Sequence, residues 1–199
     1  MSEVAGRPEF RFGRTIVAAA LGDILGQESD AIVVAANRRG VLGPLATPGL
    51  SGLRLLGGSG IEREAMALAP LSLGTAVLTG AGGLEERGIQ AVIHAVIHPA
   101  LGERARIEDV RRAVPAVLQI ASRGRVRSIA MPLLGVESLT TEADVETMAA
   151  TIVDELVGSL RRSLPRLDRV TIVCRFAEQA ATVETALAKA RQRVWTRVP

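Results

Sequence analysis

Short apolar runs alternate with polar and glycine-containing segments along this chain. Residues 30–36, DAIVVAA, are continuously apolar after the first position, which is typical of a strand whose two faces are both buried. Residues 89–97 contain a second such run, AVIHAVI. The same criterion, with glycines and charged residues as boundaries, predicts further strands at residues 10–21, 74–79, 127–134 and 169–174.

Helical spacing of apolar residues occurs in four other segments, at residues 60–69, 106–123, 141–163 and 178–195. In the first segment, Ile61, Ala65 and Leu68 fall on one face of a helix. The second contains Pro115, which we expect to start, end or kink the helix. The third begins at Thr141 with Asp144 three residues later, the spacing of a capping box.

Strands and helices alternate without an internal repeat or a dividing linker, which predicts an α/β sheet with helices on both faces. A length of 199 residues fits one domain, and a chain of this size buries roughly 70% of its unfolded surface. We therefore expect one domain over residues 1–199, with residues 1–9 as a loose lead-in.

The composition is that of a globular protein, with 48% apolar and 23% charged residues. No apolar run approaches the ~20 residues needed to cross a bilayer, and the N-terminus lacks the apolar segment of a secretory signal. Cys174 is the only cysteine, which excludes an intrachain disulfide and CxxC sites. We therefore expect a cytoplasmic protein without a membrane partner.

Charge and metal-ligand spacing exclude further classes of function. Arginine supplies 23 of the 24 basic residues and suits phosphate recognition, but a net charge of +3 is too small for us to expect nucleic acid as a partner. His94 and His98 share a face of one predicted strand, but their separation of about 13 Å is too long for one metal ion. No metal and no cofactor are expected.

Candidate binding residues follow the carboxyl ends of the predicted strands, where open α/β sheets bind their ligands. They are Gly22, Asp23 and Ile24 after the first strand, Asn37 and a glycine- and proline-rich loop that extends to Ser51 after the second, the segment from Gly135 to Ser138 after the fifth, and Phe176 after the last. An acid, an amide, two loops rich in small residues and an aromatic ring suit a ligand that contains a base, a sugar and phosphates.

Several motifs in the same order resemble those of the macro domain, a family whose usual ligand is ADP-ribose. Gly22-Asp23-Ile24 followed by DAIVVAAN at residues 30–37 resembles the family's opening GDI…DAIVNAAN. The other similar segments are GLSG at residues 49–52, GTAVLTGAG at 74–82, VIHA at 92–95 and RSIAMP at 127–132. The match extends in order from about residue 15 to residue 190.

This resemblance implies a three-layer α/β/α fold with a central mixed sheet of about six strands, and a partner that is ADP-ribose or an ADP-ribosylated molecule. It also implies that Asp23 holds the adenine amino group, that the Ile24 amide contacts the base, that Phe176 stacks on it, and that Asn37 contacts the distal ribose. The two sides of the diphosphate would be lined by Gly49, Leu50, Ser51 and Gly52 and by Gly135, Val136, Glu137 and Ser138.

Two loops differ from the family pattern. Residues 40–49 form a longer loop with two prolines in place of a compact glycine run, and Gly135 is followed directly by Val136 and Glu137, which brings a carboxylate to the expected diphosphate position. Ser51 stands where some ester-cleaving relatives have an acid, and a serine without a partner is a poor general base. No catalytic residue is therefore assigned, and whether the protein is an enzyme stays open.

Three functions are compatible with the sequence: a binding module for ADP-ribose or a related nucleotide diphosphate, a hydrolase for ADP-ribosyl esters or O-acetyl-ADP-ribose, and a degenerate macro fold used for assembly or another ligand. The third would follow if Leu42, Leu45 and Pro48 filled the pocket. Structural roles are alternatives for individual residues: Asp23 as a cap, Asn37 as a loop-stabilising amide. The oligomeric state stays open.

Overall fold

A computed structural model describes residues 7–42, 50–124, 126–139, 141–163 and 166–195. Its strands are β1 (Glu9–Phe12), β2 (Thr15–Leu21), β3 (Ala31–Asn37), β4 (Thr75–Gly80), β5 (Ala91–His98), β6 (Ser128–Pro132) and β7 (Arg169–Cys174). Its α-helices are α1 (Leu50–Gly57), α2 (Gly60–Ala67), α3 (Ile107–Arg123), α4 (Glu142–Ser163) and α5 (Ala177–Trp195). No helix of this described part is long and apolar enough to cross a membrane.

The seven strands form one mixed sheet in the order β1-β2-β7-β6-β3-β5-β4. The five inner strands are parallel to one another, and only the pairings of β1 with β2 and of β4 with β5 are antiparallel. As a result, the carboxyl ends of β2, β7, β6, β3 and β5 all lie at the same edge of the sheet, as predicted.

Two cores lie on opposite faces of the sheet. Successive residues of a strand point to opposite faces, and β3 shows this directly: Val33 belongs to the larger core, beneath α3, α4 and α5, whereas Ile32 belongs to the smaller core with α1 and α2. Both side chains are fully buried, which explains why β3 is apolar at every position except its end. The predicted three-layer α/β/α fold is confirmed.

The sheet has one strand more than predicted, because residues 10–21 form a hairpin and not a single strand. Gly13 adopts a φ of 60°, and the chain reverses between Phe12 and Thr15, which pair in register. Positive φ is readily available to glycine. Apolar residues on both arms, such as Phe12 and Val17, concealed the turn in the sequence pattern.

One of the helices also differs from the prediction. Helix α1 begins at Leu50, within the segment that was predicted to be a loop. Pro115 lies inside α3, so it neither starts nor ends the helix, and its nitrogen has no hydrogen to donate to the preceding turn; the kink stays a prediction. Buried side chains on both sides of the proline, including Val114 and Val117, hold the helix against the sheet. The cap of α4 agrees with the prediction, since the Asp144 N–H donates to the Thr141 hydroxyl at 3.1 Å.

Candidate functional site

A cavity of about 430 Å³ lies at the carboxyl edge of the parallel strands. Its floor is β3 from Ile32 to Asn37, and its walls come from segments that follow the neighbouring strands β5, β6 and β7. The pairing of β3 with β6 ends at Ile32 and Ala130, whereas the pairing of β3 with β5 continues to Asn37 and His98. The cavity therefore opens where β3 and β6 separate.

The cavity crosses several strands. Ile24 follows β2, Phe176 follows β7, Val136 and Glu137 follow β6, and His98 ends β5. Neighbouring strands are about 4.8 Å apart, so the edge from β2 to β5 is about 19 Å long. Such a cavity suits an extended ligand that contacts a different loop at each strand.

Asp23 caps the short 3-10 helix Ile24–Gly26 at the β2 end of this edge. Its carboxylate accepts a hydrogen bond of 2.8 Å from the Leu25 N–H, and its side chain is otherwise exposed. Ile24 lines the cavity, whereas Asp23 is not among the lining residues. The capping role that was an alternative for Asp23 is thus observed, and its contact with adenine stays a prediction.

Asn37, at the end of β3, is 3% exposed and lines the cavity. Its Oδ1 accepts hydrogen bonds from the Arg39 N–H at 2.9 Å and the Val41 N–H at 3.3 Å. Among the described residues, none accepts a hydrogen bond from its Nδ2. One half of the amide therefore shapes the following turn, and the other half is available to a ligand.

A polar network fixes the chain after this turn. The Glu62 carboxylate accepts the Leu42 N–H at 2.8 Å and the Arg54 Nη2 at 2.9 Å, and Arg54 also donates to the Leu42 carbonyl at 2.9 Å. The hydrogen bond from Arg54, together with the Leu42 N–H, lowers the pKa of Glu62 although burial opposes this. The Leu42 side chain is buried in the smaller core and does not line the cavity. It therefore does not fill the pocket; Leu45 and Pro48 lie outside the described residues.

Replacing Glu62 with alanine should lower the free energy of unfolding by about 2 kcal/mol, because a partly buried N–H and a guanidinium lose their shared acceptor. Urea denaturation at pH 7 measures this loss. Arg63→Ala is the control, since Arg63 lies beside Glu62 on α2 but is exposed, and it should change the free energy by less than about 0.5 kcal/mol. Equal losses in both variants would contradict the role of the network.

The first predicted diphosphate loop is only partly covered by the structure. Leu50 and Ser51 begin α1, and Gly49 lies outside the described residues. Gly52 is in the first turn of α1, where an added Cβ would come within 2.8 Å of the Leu25 side chain. Gly52 is not among the residues lining the cavity. Close packing against Leu25 therefore accounts for this glycine, and the contact of this loop with a diphosphate stays a prediction.

The second predicted loop lies at the cavity. Gly135 has a φ of 78° and precedes the short 3-10 helix Val136–Ser138. Val136 and Glu137 line the cavity. Gly135 lies behind them, where an added Cβ would come within 3.4 Å of side chains of Val110 and other buried residues. The carboxylate of Glu137 is therefore at the cavity wall, as the sequence suggested.

His98 pairs with this carboxylate, a contact that the sequence analysis missed. Its Nε2 lies 2.9 Å from Glu137 Oε1, and its Nδ1 lies 2.8 Å from the Glu103 carbonyl oxygen. A carbonyl oxygen can only accept, so Nδ1 carries a proton, and an ionised carboxylate also accepts, so Nε2 carries one too. Both contacts therefore favour the protonated, imidazolium form of the ring. The only sequence signal was a histidine at the end of a buried apolar run.

The pair neutralises both charges. Burial alone would lower the pKa of His98, but the Glu137 carboxylate and the Glu103 carbonyl outweigh it and raise that pKa. Burial alone would raise the pKa of Glu137, but the hydrogen bond from His98 and the backbone N–H groups of Glu137 and Gly135 lower it. An unpaired carboxylate ~4 Å from a phosphate would repel it by about 4 kcal/mol at an effective dielectric of 20. His98 reduces this repulsion.

Phe176 lies at the mouth of the cavity and is 55% exposed, so it is not a core residue. The guanidinium of Arg175 lies 5.5 Å from the centre of its ring. The Gln179 side chain accepts the Arg175 N–H at 3.2 Å and so fixes the chain at the start of α5. An exposed ring beside a cation is available for stacking on a planar base.

His94 does not contribute to the cavity. It is fully buried within β5, its Nε2 lies 3.0 Å from the Thr79 hydroxyl, and its Nδ1 has no partner among the described residues. Within the described part of the chain, no group of three or more histidine, cysteine or acidic side chains is arranged to bind a metal ion.

The fold and the site together define a class: three-layer α/β/α proteins that form an elongated site at the carboxyl edge of a mixed sheet. Comparison with known proteins identifies the family. Residues 33–148 match the family model described as Macro domain. An uncharacterized protein of Aeropyrum pernix is 32% identical over 182 residues, which cover 89% of this chain and 88% of that protein. The chain belongs to the macro domain family.

Solved structures agree with this fold. The Oceanobacillus iheyensis macrodomain with ADP superimposes with a TM-score of 0.78 at 15% identity, covering 94% of this chain and 98% of that one. The Trypanosoma brucei macrodomain in complex with ADP-ribose gives a TM-score of 0.70 at 22% identity, covering 86% of this chain and 68% of that one. At these identities the similarity establishes the architecture, and the residues of the site must be argued from this chain.

Proposed function

We propose that this protein binds ADP-ribose or a related nucleotide diphosphate, free or attached to another molecule. The observation that carries the proposal is the row of Ile24, Phe176, Val136 and Asn37 along one open cavity, in the order in which a base, a diphosphate and a second ribose would need them. The macrodomains solved with ADP and with ADP-ribose share this architecture.

Adenine would lie at the β2 and β7 end of the cavity. There, the exposed ring of Phe176 can stack on the base, and the Ile24 N–H can donate to a ring nitrogen. The Asp23 carboxylate uses one oxygen for the Leu25 N–H, which leaves the other for the adenine amino group. The base would thus be recognised by one acceptor, one donor and one ring.

The diphosphate and the distal ribose would occupy the centre and the β5 end. Main-chain N–H groups of the turn from Gly135 to Ser138 can donate to phosphate oxygens, as such turns do in anion sites. The Nδ2 of Asn37 can donate to a ribose hydroxyl while its Oδ1 keeps the following turn in place. An open cavity above Asn37 favours this function over a degenerate fold with a filled pocket.

Calorimetry with ADP-ribose tests the proposal, and Asn37→Asp is the informative variant. Aspartate keeps the acceptor for the Arg39 and Val41 N–H groups but removes the amide donor, so affinity should fall about tenfold or more while the fold is retained. Gln90→Glu is the control, since it adds the same charge at the exposed, opposite end of the β5 region. The absence of both heat and a thermal shift at millimolar ADP-ribose would remove the proposal.

We also propose that the protein is located in the cytoplasm. A cytoplasmic address is consistent with a chain whose only cysteine, Cys174, is buried and unpaired. Burial raises the pKa of this thiol to about 12, so it is not a reactive nucleophile at neutral pH. Fractionation of cells that express the protein would test the location.

A further inference from the structure

The ion pair of His98 and Glu137 bridges the opening of the cavity between β3 and β6. His98 ends β5 on one side of β3, and Glu137 follows β6 on the other side, so the 2.9 Å contact between them passes over the carboxyl end of β3. Asn37, the last residue of β3, pairs in register with His98. The pair therefore lies between the predicted diphosphate turn and the residue predicted to contact the distal ribose.

The two partners are held to different degrees. The His98 side chain is 18% exposed, belongs to the inner strand β5, and donates a second hydrogen bond to the Glu103 carbonyl. The Glu137 side chain is 41% exposed and projects from a short 3-10 turn. Rotation of the Glu137 side chain into solvent requires no movement of a strand, and it releases the backbone N–H groups of Gly135 and Glu137 for a ligand. Rotation of His98 would instead break its hydrogen bond to the Glu103 carbonyl and expose a ring that is now only 18% exposed. Glu137 is the partner that can leave.

Few of the described side chains that line the cavity are cationic. Among the described residues that line it, the ionisable side chains are His98, Glu103, Glu137 and Arg175. Arg175 lies over the Phe176 ring, at the β7 end. The imidazolium of His98 is therefore the cation nearest the β5 end, and a phosphate there needs the position that the Glu137 carboxylate now holds.

We propose that His98 is a binding residue for a phosphate of the nucleotide ligand and that Glu137 is its exchangeable counterion, displaced when the ligand enters. This inference rests on the proposed function and adds to it a residue and an order of events. The carboxylate keeps the buried imidazolium paired while the cavity is empty. The phosphate then accepts the same Nε2–H, and Glu137 turns toward solvent.

The test is whether substitutions of Glu137 and His98 change the affinity for ADP-ribose in opposite directions. Calorimetry with ADP-ribose at pH 6.0 should show Glu137→Gln binding about tenfold more tightly, because the displaced charge is gone. His98→Gln should bind about tenfold more weakly, because a charge-assisted hydrogen bond is lost. Glu86→Gln, which removes the same charge from an exposed side chain outside the cavity, should change affinity less than about threefold. Adenosine, which lacks phosphate, should bind all four proteins equally.

Failure of the counterion exchange and failure of the proposed function would give different binding results. Binding that Glu137→Gln weakens or leaves unchanged would overturn the inference while leaving the proposed function in place. The absence of ADP-ribose binding by the wild-type protein and by all variants would remove the proposed function itself. A crystal structure of the wild-type complex gives an answer that does not depend on how the variants fold: a phosphate oxygen on His98 Nε2 supports the exchange, and an intact pair with Glu137 overturns it.

Discussion

Replacing Gly40 with alanine is expected to lower the free energy of unfolding by about 4 kcal/mol, the sum of overpacking against backbone and a left-handed conformation. Gly40 has a φ of 72°, and an added Cβ would lie 2.5 Å from both the carbonyl carbon and the carbonyl oxygen of Ala65. Ala65 lies within α2, so these backbone atoms cannot move without breaking the helix. The turn after Asn37 would shift, and ADP-ribose binding should be lost with it.

Gly58→Ala is the matched control for this prediction. Gly58 has a φ of 80°, close to that of Gly40, but nothing lies within 4 Å of an added Cβ. Its substitution should cost only the conformational strain of about 1–2 kcal/mol. Urea denaturation of the two variants at one pH separates the cost of overpacking from the cost of the left-handed conformation. Equal losses of unfolding free energy would show that α2 does not restrict Gly40.

Acid is expected to destabilise the protein by about 3 kcal/mol through His94 alone. Burial lowers the pKa of this ring to about 4 from the ordinary 6.5, against the opposing influence of Glu64 and Glu62. Below pH 6.5, His94 therefore becomes protonated in the unfolded chain, whereas in the folded chain it stays neutral until about pH 4. This part of the stability is present above pH 6.5, declines as the pH falls to about 4, and then stays constant.

Chemical denaturation of the wild type and His94→Gln between pH 4 and pH 7.5 measures this contribution. Glutamine does not titrate, so the difference between the two free energies should shrink by about 3 kcal/mol as the pH falls. The other acidic groups titrate in both proteins and cancel in that difference. A difference that does not vary with pH would mean that His94 has the same pKa in the folded and in the unfolded chain.

The sequence predicted most of the architecture because burial on both faces leaves a clear signature. The uninterrupted apolar run of β3 identified a central strand, and Asn37 at its end lies at the carboxyl edge of the sheet, where it lines the cavity. The error at residues 10–21 has a local cause. Both arms of the hairpin carry buried apolar residues, and the turn of Gly13 and Arg14 is so short that it was included in one apolar segment.

The site was less predictable because it depends on the order of strands in space. His98 and Glu137 are distant in the chain and meet only because β3 lies between β5 and β6. Periodicity identifies strands but does not give their neighbours. Glu137 therefore looked like an uncompensated charge, and His98 looked like an ordinary strand-end residue. The compensation between them became visible only in the folded chain.

Because the inner strands are parallel, a ligand bound in the cavity would stabilise the whole molecule. The cavity wall combines segments from Ile24 near the start of the described chain to Gln179 in the last helix, so no fragment contains a complete site. A ligand held there stabilises only the fully folded chain, by about 2.7 kcal/mol at a hundredfold excess over its dissociation constant. Its presence would therefore slow hydrogen exchange of the buried amides on both sides of the sheet, including those of helices that never touch it.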